Sequence, residues 1–463
     1  MDGLLQLKRE SDVVSYLGSL PKGLQEAYQK ILENIAAQPG SAPVIAARAF
    51  RWIMDSGRAL SPEELVAAVC QPPNRLVTSE PDVSIEFVLE SCHNLVMLTG
   101  PSCRFSHLSV QEYLERHEWP NKPDDHLLGA VCLHLLMASE DISAQQALHD
   151  YAIDCWHHHF TDCDPEASEA ESLSSPLLKR FLGHPTDSSD HYRRWIDKIQ
   201  SYDLYRCLQA PHLAAFGVVA LGLLATVTRW IDNQTLDPNL SSPEESLLHL
   251  AVESGNLAMC SRLLQSGADV NHATSTGETP VLRAVLRRDH SIIQLLQKQA
   301  NIDVDKGRDM TGAPALCTAI LLTDAKIVGL LLHAGANPNL MAAGPSSQGT
   351  SCSGFKPALH IAAGHGSVDI LHILLRYKAD PNLEAGIYMT PLANAVYHGG
   401  RAAIQCLLEH GADENTFRPF YDTDLGSGRN PAMLLSRGLL DYVEEYIPSQ
   451  CWNIGDIAFA RQL

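Results

Sequence analysis

Pro357-Ala-Leu-His-Ile-Ala362 decides the fold, because four other stretches of the chain repeat its pattern. These are Ser246-Leu-Leu-His-Leu-Ala251, Thr279-Pro-Val-Leu-Arg-Ala284, Pro314-Ala-Leu-Cys-Thr-Ala319 and Thr390-Pro-Leu-Ala-Asn-Ala395. The final alanines stand 33, 35, 43 and 33 residues apart. A Leu-Leu pair follows each: Leu263-Leu264, Leu295-Leu296, Leu331-Leu332, Leu374-Leu375 and Leu407-Leu408. Then comes Gly267-Ala-Asp269, Ala300-Asn301, Gly335-Ala-Asn337, Ala379-Asp380 or Gly411-Ala-Asp413. A period of this length marks stacked supersecondary units, none of which can bury its apolar face alone.

Each landmark has a physical role. Thr or Ser before Pro caps a first helix, at a position where the missing proline N–H does no harm. The small alanine lets neighbouring helices approach closely. The Leu-Leu pair faces the core from a second helix. Glycine ends that helix in a left-handed conformation, and Asp or Asn starts a β-turn finger to the next unit. Together the five copies resemble the ankyrin repeat, whose mark is Thr-Pro-Leu-His-x-Ala at a 33-residue period.

The departures carry expectations of their own. Gln299 and Lys378 stand where glycine is expected, and the helical part of the second unit reads one residue short. Both units are expected to be locally weaker. Met341–Phe355 is a Gly- and Ser-rich insertion into a finger, read as tolerated rather than functional. Ala210-Pro-His-Leu-Ala-Ala215 and Leu236-Asp-Pro-Asn239 read as a worn opening repeat, and Pro431–Tyr446 as a worn closing one. The uncharged run Leu213–Thr228 is too short to cross a bilayer, which takes about 20 residues, and reads as a buried helix pair bent at Gly217 and Gly222.

The first half is helical. Leu24, Tyr28, Ile31, Leu32 and Ile35 form one stripe, and Pro43–Ser56 a second helix. Ser61-Pro-Glu-Glu64 carries a cap with its glutamate, and Ile85–His93 is a further helix. Leu95–Ser106 reads as a hairpin around Gly100. Short helices followed by a hairpin give the order of a winged helix. Leu20–Ile35, Leu60–Leu65 and Arg104–Leu114 resemble the stretch that follows the NACHT NTPase module in fungal-type NLR-like ankyrin proteins, a winged-helix region similar to that of GPI inositol-deacylases. That resemblance implies a signalling switch in which the NTPase changes state and the repeats recognise a partner. The NTPase module itself is missing: no GxxxxGK[ST] loop occurs, so nothing cradles a phosphate. His107, at a position where a histidine can touch nucleotide in related switches, reads here as structural.

Composition narrows the function. A net charge of -20 argues against nucleic acid and against an anionic membrane surface. The helix after Ser61 starts with Glu63 and Glu64 and has no basic residue through Gln71, which argues against DNA reading by a winged helix. Twelve cysteines, with no CxxC pair, and no evident signal peptide point to reduced thiols in the cytoplasm or nucleus. The run His157-His-His159 with Asp162, Cys163 and Asp164 is the one cluster of ligand types close in sequence. Consecutive helical histidines diverge by about 100°, and no metal is expected there. Tyr151–Phe160 reads as one helix with Tyr151, Cys155 and Trp156 inward. His249 and His360 should hydrogen-bond backbone, and no GxSxG elbow occurs.

The resulting expectation is a mostly α protein: an N-terminal winged-helix-like helical domain and a C-terminal ankyrin-repeat solenoid. Its parts are a lead-in at 1–19, the winged-helix-like domain at 20–118, and a helical linker with an acidic Ser-rich loop at 119–204. Repeats at 205–447 and a tail at 448–463 complete it. The function read from it is non-catalytic protein–protein recognition, without cofactor, metal, nucleic acid or membrane. His272, Ser275, Glu278, Arg308, Tyr388 and Phe417 are the candidate finger residues for the partner. The alternative is the detached C-terminal half of a NACHT-type NTPase switch.

Overall fold

In the computed structural model the described residues are 22–72, 76–77, 79, 81–117, 127–138, 143–161, 174–199, 213–309, 312–340, 357–385, 390–398 and 400–413. Expectations placed on 1–19, the acidic stretch 164–173, Ala210–His212, the insertion 341–355, the closing repeat and tail, Tyr388 and Phe417 lie outside these residues. The chain divides into two compact units, between Leu236 and Asp237.

The first unit opens with helices α1 (Lys22–Ala36), α2 (Ala42–Asp55), α3 (Pro62–Cys70) and α4 (Ile85–Ser91). The expected hairpin follows as β1 (Val96–Thr99) and β2 (Ser102–Phe105), antiparallel with Val96 opposite Phe105, and α5 (Leu108–Arg116) comes next. The capping box at Ser61 is complete. Glu64 N–H donates to Ser61 Oγ at 3.1 Å, and Ser61 N–H donates to Glu64 Oε2 at 2.8 Å. The same buried carboxylate takes two hydrogen bonds from Arg58, at 2.6 and 2.8 Å, and the guanidinium lies over the Tyr151 ring at 5.1 Å.

Beyond it lie α6 (Leu127–Met137), α7 (Gln146–Cys155), α8 (His158–Thr161), α9 (Ser174–Leu182), a two-residue β-ladder (β3, Gly183–His184; β4, Asp187–Ser188) and α10 (Asp190–Ile199). The single helix expected over Tyr151–Phe160 is broken after Cys155. The break lets Trp156, His157 and His159 all turn inward, which an unbroken helix stepping about 100° per residue would not allow. Trp156 then centres an aromatic core, edge-on to Phe181 at 5.1 Å and Trp195 at 5.3 Å.

The uncharged run forms the expected helix pair, α11 (Ala214–Ala220) and α12 (Leu224–Asp232). Gly222 turns it at φ +76°. Gly217 bends nothing: it lies inside α11, where a Cβ would stand 1.7 Å from Tyr192 Oη. That glycine admits a buried tyrosine. Among the described residues no helix is long and apolar enough to cross a membrane.

Among its described residues the second unit has five helix pairs: α13 (Leu247–Glu253) with α14 (Leu257–Gln265), α15 (Pro280–Leu286) with α16 (His290–Leu296), α17 (Ala315–Leu321) with α18 (Ala325–His333), α19 (Ala358–His365) with α20 (Val368–Arg376), and α21 (Pro391–His398) with α22 (Arg401–Glu409). First helices pack on first helices in chain order, and second on second. The repeat alanines Ala251, Ala284, Ala319, Ala362 and Ala395 are all 0% exposed, as a tightly stacked solenoid demands. Ser246, Thr279 and Thr390 cap their helices through side-chain oxygens. Pro314 and Pro357 occupy the cap position itself and offer no side-chain acceptor.

The second repeat departs from its expected register. Its structural counterpart of Leu263, Leu331, Leu374 and Leu407 is Leu296, not Leu295. Each of these leucines lies seven residues after its N-cap and is buried to 1% exposure or less. The helical register is therefore intact, but α16 is seven residues long against nine in the other second helices, and one extra residue stands between Leu296 and Asp303. Elsewhere that turn closes with Gly267, Gly335 and Gly411 at φ +93°, +97° and +86°, and with Lys378 at +65°. Lys378 adopts the left-handed conformation that a side chain disfavours, whereas Gln299 escapes it through the longer turn.

Candidate functional site

The fingers are tied to one another by backbone and side chain. Thr274 N–H donates to Glu278 O at 2.9 Å across a tip turned by Gly277, and Asp309 with Ala313 repeats the arrangement around Gly312. Ser275 N–H reaches back to Pro243 O at 2.7 Å, and Arg308 N–H to Gly277 O at 2.9 Å. Each tip is thus fastened to the one before.

A polar ladder at the finger bases was missed in sequence. Asn239 donates through Nδ2 to Gly267 O (3.0 Å) and accepts from Asp269 N–H (2.7 Å). Asn271 does the same with Asn301 O (2.6 Å) and Asp303 N–H (2.8 Å), Asn339 with Lys378 O (3.2 Å) and Asp380 N–H (2.8 Å), and Asn382 with Gly411 O (3.1 Å) and Asp413 N–H (2.6 Å). The expected second signal at Asn301 is therefore displaced: the ladder positions are Asp303 and Asp305, and Asn301 serves as a carbonyl. Asp305 accepts from Asn337 N–H at 2.9 Å but has no amide to donate. The signal was present as Asp-x-Asn, or a variant of it, at 237, 269, 303, 337 and 380. In every copy the first side chain accepts from the third residue's N–H. The Asn339 step also shows that the insertion at 341–355 leaves the ladder unbroken.

The candidate residues divide by geometry. His272 is half-buried, with its ring edge-on to His249 at 5.8 Å. Ser275 is exposed on a finger tip. Glu278 is held by Arg283 through two hydrogen bonds of 2.8 and 3.0 Å, and Arg283 also binds Glu245 at 2.6 Å. Burial opposes the Arg283 charge, yet the bonds to Glu278 and Glu245 outweigh it and its pKa ends raised. Burial pushes the Glu245 carboxyl up, against the pull of Arg283. Arg287 binds Glu253 at 2.8 Å beside this group. Arg308 spends its guanidinium on the carbonyls of Asp305 and Gly307, so it shapes a finger more than it offers a free charge. His249 is buried as expected, its ring between Ser246 Oγ (2.7 Å) and Glu278 O (3.2 Å). Burial, helped by Arg283, pushes its pKa down to about 3.

Beside these lie two exposed apolar side chains that sequence reasoning overlooked. Leu286 (46% exposed) and Leu321 (45%) end the first helices of adjacent repeats, each seven residues after its cap. In the first unit, His107 is occupied in capping α5: its Nδ1 accepts from Ser109 N–H at 3.1 Å and lies 2.6 Å from Ser109 Oγ. On the second-helix layer, His372, Cys406 and His410 bring three ligand-type atoms within 4.8 Å of one another.

Residues 221–342 and 346–444 match the family of ankyrin repeats (3 copies). The C-terminal region is an ankyrin-repeat solenoid. The chain is 29% identical over 182 residues to the ankyrin repeat protein FPV031 of fowlpox virus, covering 38% of this chain and 50% of that one. It is 28% identical over 259 residues to ankyrin repeat protein nuc-2 of Neurospora crassa, covering 54% of this chain and 23% of that protein. Among solved structures, the ankyrin repeat domain of Bcl-3 is 21% identical, with a TM-score of 0.41, covering 49% of this chain and 95% of that one. The chain spans half the length of the fowlpox protein and about a quarter of nuc-2.

Proposed function

We propose that the chain is a non-catalytic recognition protein whose repeats hold a protein partner along the finger tips and the ends of the first helices. The observation that carries this reading is the exposed Leu286–Leu321 pair beside a fixed charge group, Glu245, Glu253, Glu278, Arg283 and Arg287. Apolar side chains left in water at equivalent positions of neighbouring repeats offer a partner apolar surface to bury. Around them, charges already paired within the protein can orient a partner without leaving a buried ion unmatched. The full chain as bait should capture a partner that is lost with Leu286→Asp/Leu321→Asp. It should be kept with Met97→Ser, a change at an equally exposed apolar position on the first-unit hairpin. Capture unaffected by the double change would refute this surface.

A second reading concerns residues 20–118, which we take as a winged helix of the kind that follows a NACHT module, joined through 119–204 to repeats at 205–447. Supporting it, α2, α3 and α4 precede the hairpin, and Cys103 N–H donates to Leu60 O at 2.8 Å, tying β2 to the segment just before α3. The α4 helix carries Glu86 and Glu90 and no basic residue, a poor surface for a duplex. Transcript mapping tests the NACHT connection. An exon bearing a phosphate loop joined upstream of Met1 would support it, and a transcript initiating at Met1 would count against it.

A further inference from the structure

We infer that His372, Cys406 and His410 form a binding site for a thiophilic transition-metal ion, zinc(II) in the first place, that ties the fourth repeat to the fifth. Cys406 and His410 are four residues apart on and just after α22, so they share one face of it, and His372 comes from α20, which packs alongside. The His372 nitrogens lie 3.7 and 3.9 Å from Cys406 Sγ. A tetrahedral zinc site with its usual bond lengths sets sulfur and imidazole nitrogen about 3.5 Å apart. His372 and Cys406 therefore already stand close to ligating separation, with the His410 ligand atom within 4.8 Å of both, and a turn of the His372 ring about its second side-chain torsion re-aims its nitrogens.

The decisive detail is His410 Nδ1, which lies 2.8 Å from the Cys406 carbonyl oxygen. A proton on Nδ1 donated there leaves Nε2 as the lone-pair nitrogen. Metal-ligating histidines are oriented in this way, by an outer hydrogen bond that fixes the tautomer. The Cys406 side chain is free and buried, while both imidazoles face solvent. One thiolate and two neutral imidazoles make a soft, nitrogen-rich set that suits zinc(II), cobalt(II) or copper(I) and does not suit magnesium or calcium. On binding, the Cys406 thiol gives its proton to solvent, both imidazoles bind neutral, and the fourth position is left to water. The complete set was not readable from spacing, because the ligands come from two repeats, 34 residues apart between His372 and Cys406.

The test is cobalt(II) titration of the full-length, reduced, metal-free protein. One equivalent should produce a thiolate-to-cobalt charge-transfer band with tetrahedral visible bands, bleached by zinc(II) and untouched by magnesium(II). Cys406→Ala should abolish the band. His372→Gln and His410→Gln should each weaken affinity at least as much as the loss of an outer-shell partner does, roughly 10- to 100-fold. His372 is exposed, so its substitution tests the site without disturbing the core. A band of equal strength and affinity in the wild type and in His372→Gln, or no band in the wild type, would overturn the proposal.

Discussion

The two units reach stability by opposite routes. The first is built on large aromatic side chains brought together from distant segments: Trp156, Trp195, Phe181 and Tyr192 join α7, α9 and α10 around one centre. The second has no such centre among its described residues. Its core is a row of small alanines and leucines repeated at a fixed interval, with an asparagine ladder along one edge. Damage to a shared centre is felt throughout a unit, whereas in a repeat array each element touches only its neighbours and damage stays local.

The sharpest way to break the comparison is at Trp156. Trp156→Ala should cost about 3–5 kcal/mol and abolish or greatly lower the unfolding midpoint followed by tryptophan fluorescence. That signal is weighted toward the first unit, because five of the six tryptophans, Trp52, Trp119, Trp156, Trp195 and Trp230, belong to it and Trp452 alone to the second. A shift of only a few tenths of a kcal/mol would show that the aromatic centre is not the keystone.

Acid separates the units next. His157 and His159 in the first unit are pushed down by burial to about 3 and about 4, and His249 in the second to about 3. Their folded pKa values lie below the unfolded value near 6.5, so below about pH 6.5 the unfolded chain binds protons that the folded chain refuses. Stability is full above that pH and is lost as pH falls, by about 1.4 kcal/mol per pH unit for each proton. Burial lowers His134 and His149 in the first unit as well. Between pH 6 and 4 the first unit should therefore weaken more steeply than the second. Hydrogen exchange corrected for the intrinsic rate at each pH would measure both, and equal slopes would refute the account.

Within the array, Asn339→Ala removes two ladder hydrogen bonds and should cost about 1–2 kcal/mol, read as faster exchange confined to the third and fourth repeats. Spread of that effect into the first repeat would contradict locality. The smallest effects come from the left-handed turns. Gly411→Val should destabilise the fifth repeat by about 1–2 kcal/mol, because a β-branched residue resists the φ of +86° found there. Lys378→Gly should stabilise the fourth repeat by up to about 1 kcal/mol, since it relieves the same strain at +65°. An unchanged melting midpoint in both would remove the physical reason offered for glycine at that turn.

The array was readable in the chain because its contacts are local and recur, so five copies reveal one rule. That is why Ala251 through Ala395 could be placed in the core before any coordinates. The register of the second repeat was misread because Leu295 and Leu296 are identical in type, and only packing against neighbours shows which of them is buried. Of the candidate binding residues, Ser275 stays exposed, while Glu278 and Arg308 prove to be engaged within the protein, information that no single position carries. Leu286 and Leu321 escaped notice because a leucine at the end of an amphipathic helix looks like core until its exposure is seen.

Sequence alone settled the repeat period, the helical caps at Ser61 and Thr279, the hairpin around Gly100 and the absence of a phosphate loop, since each depends on residues within a few positions of one another. Tertiary structure alone decided the break after Cys155, the clearance Gly217 gives Tyr192, the asparagine ladder and the meeting of His372 with Cys406 and His410. The break turns Trp156 toward distant Phe181 and Trp195, and the other three are contacts across long separations or between successive repeats. They exist only once burial of apolar surface has brought those segments together, and a linear pattern does not encode that distance.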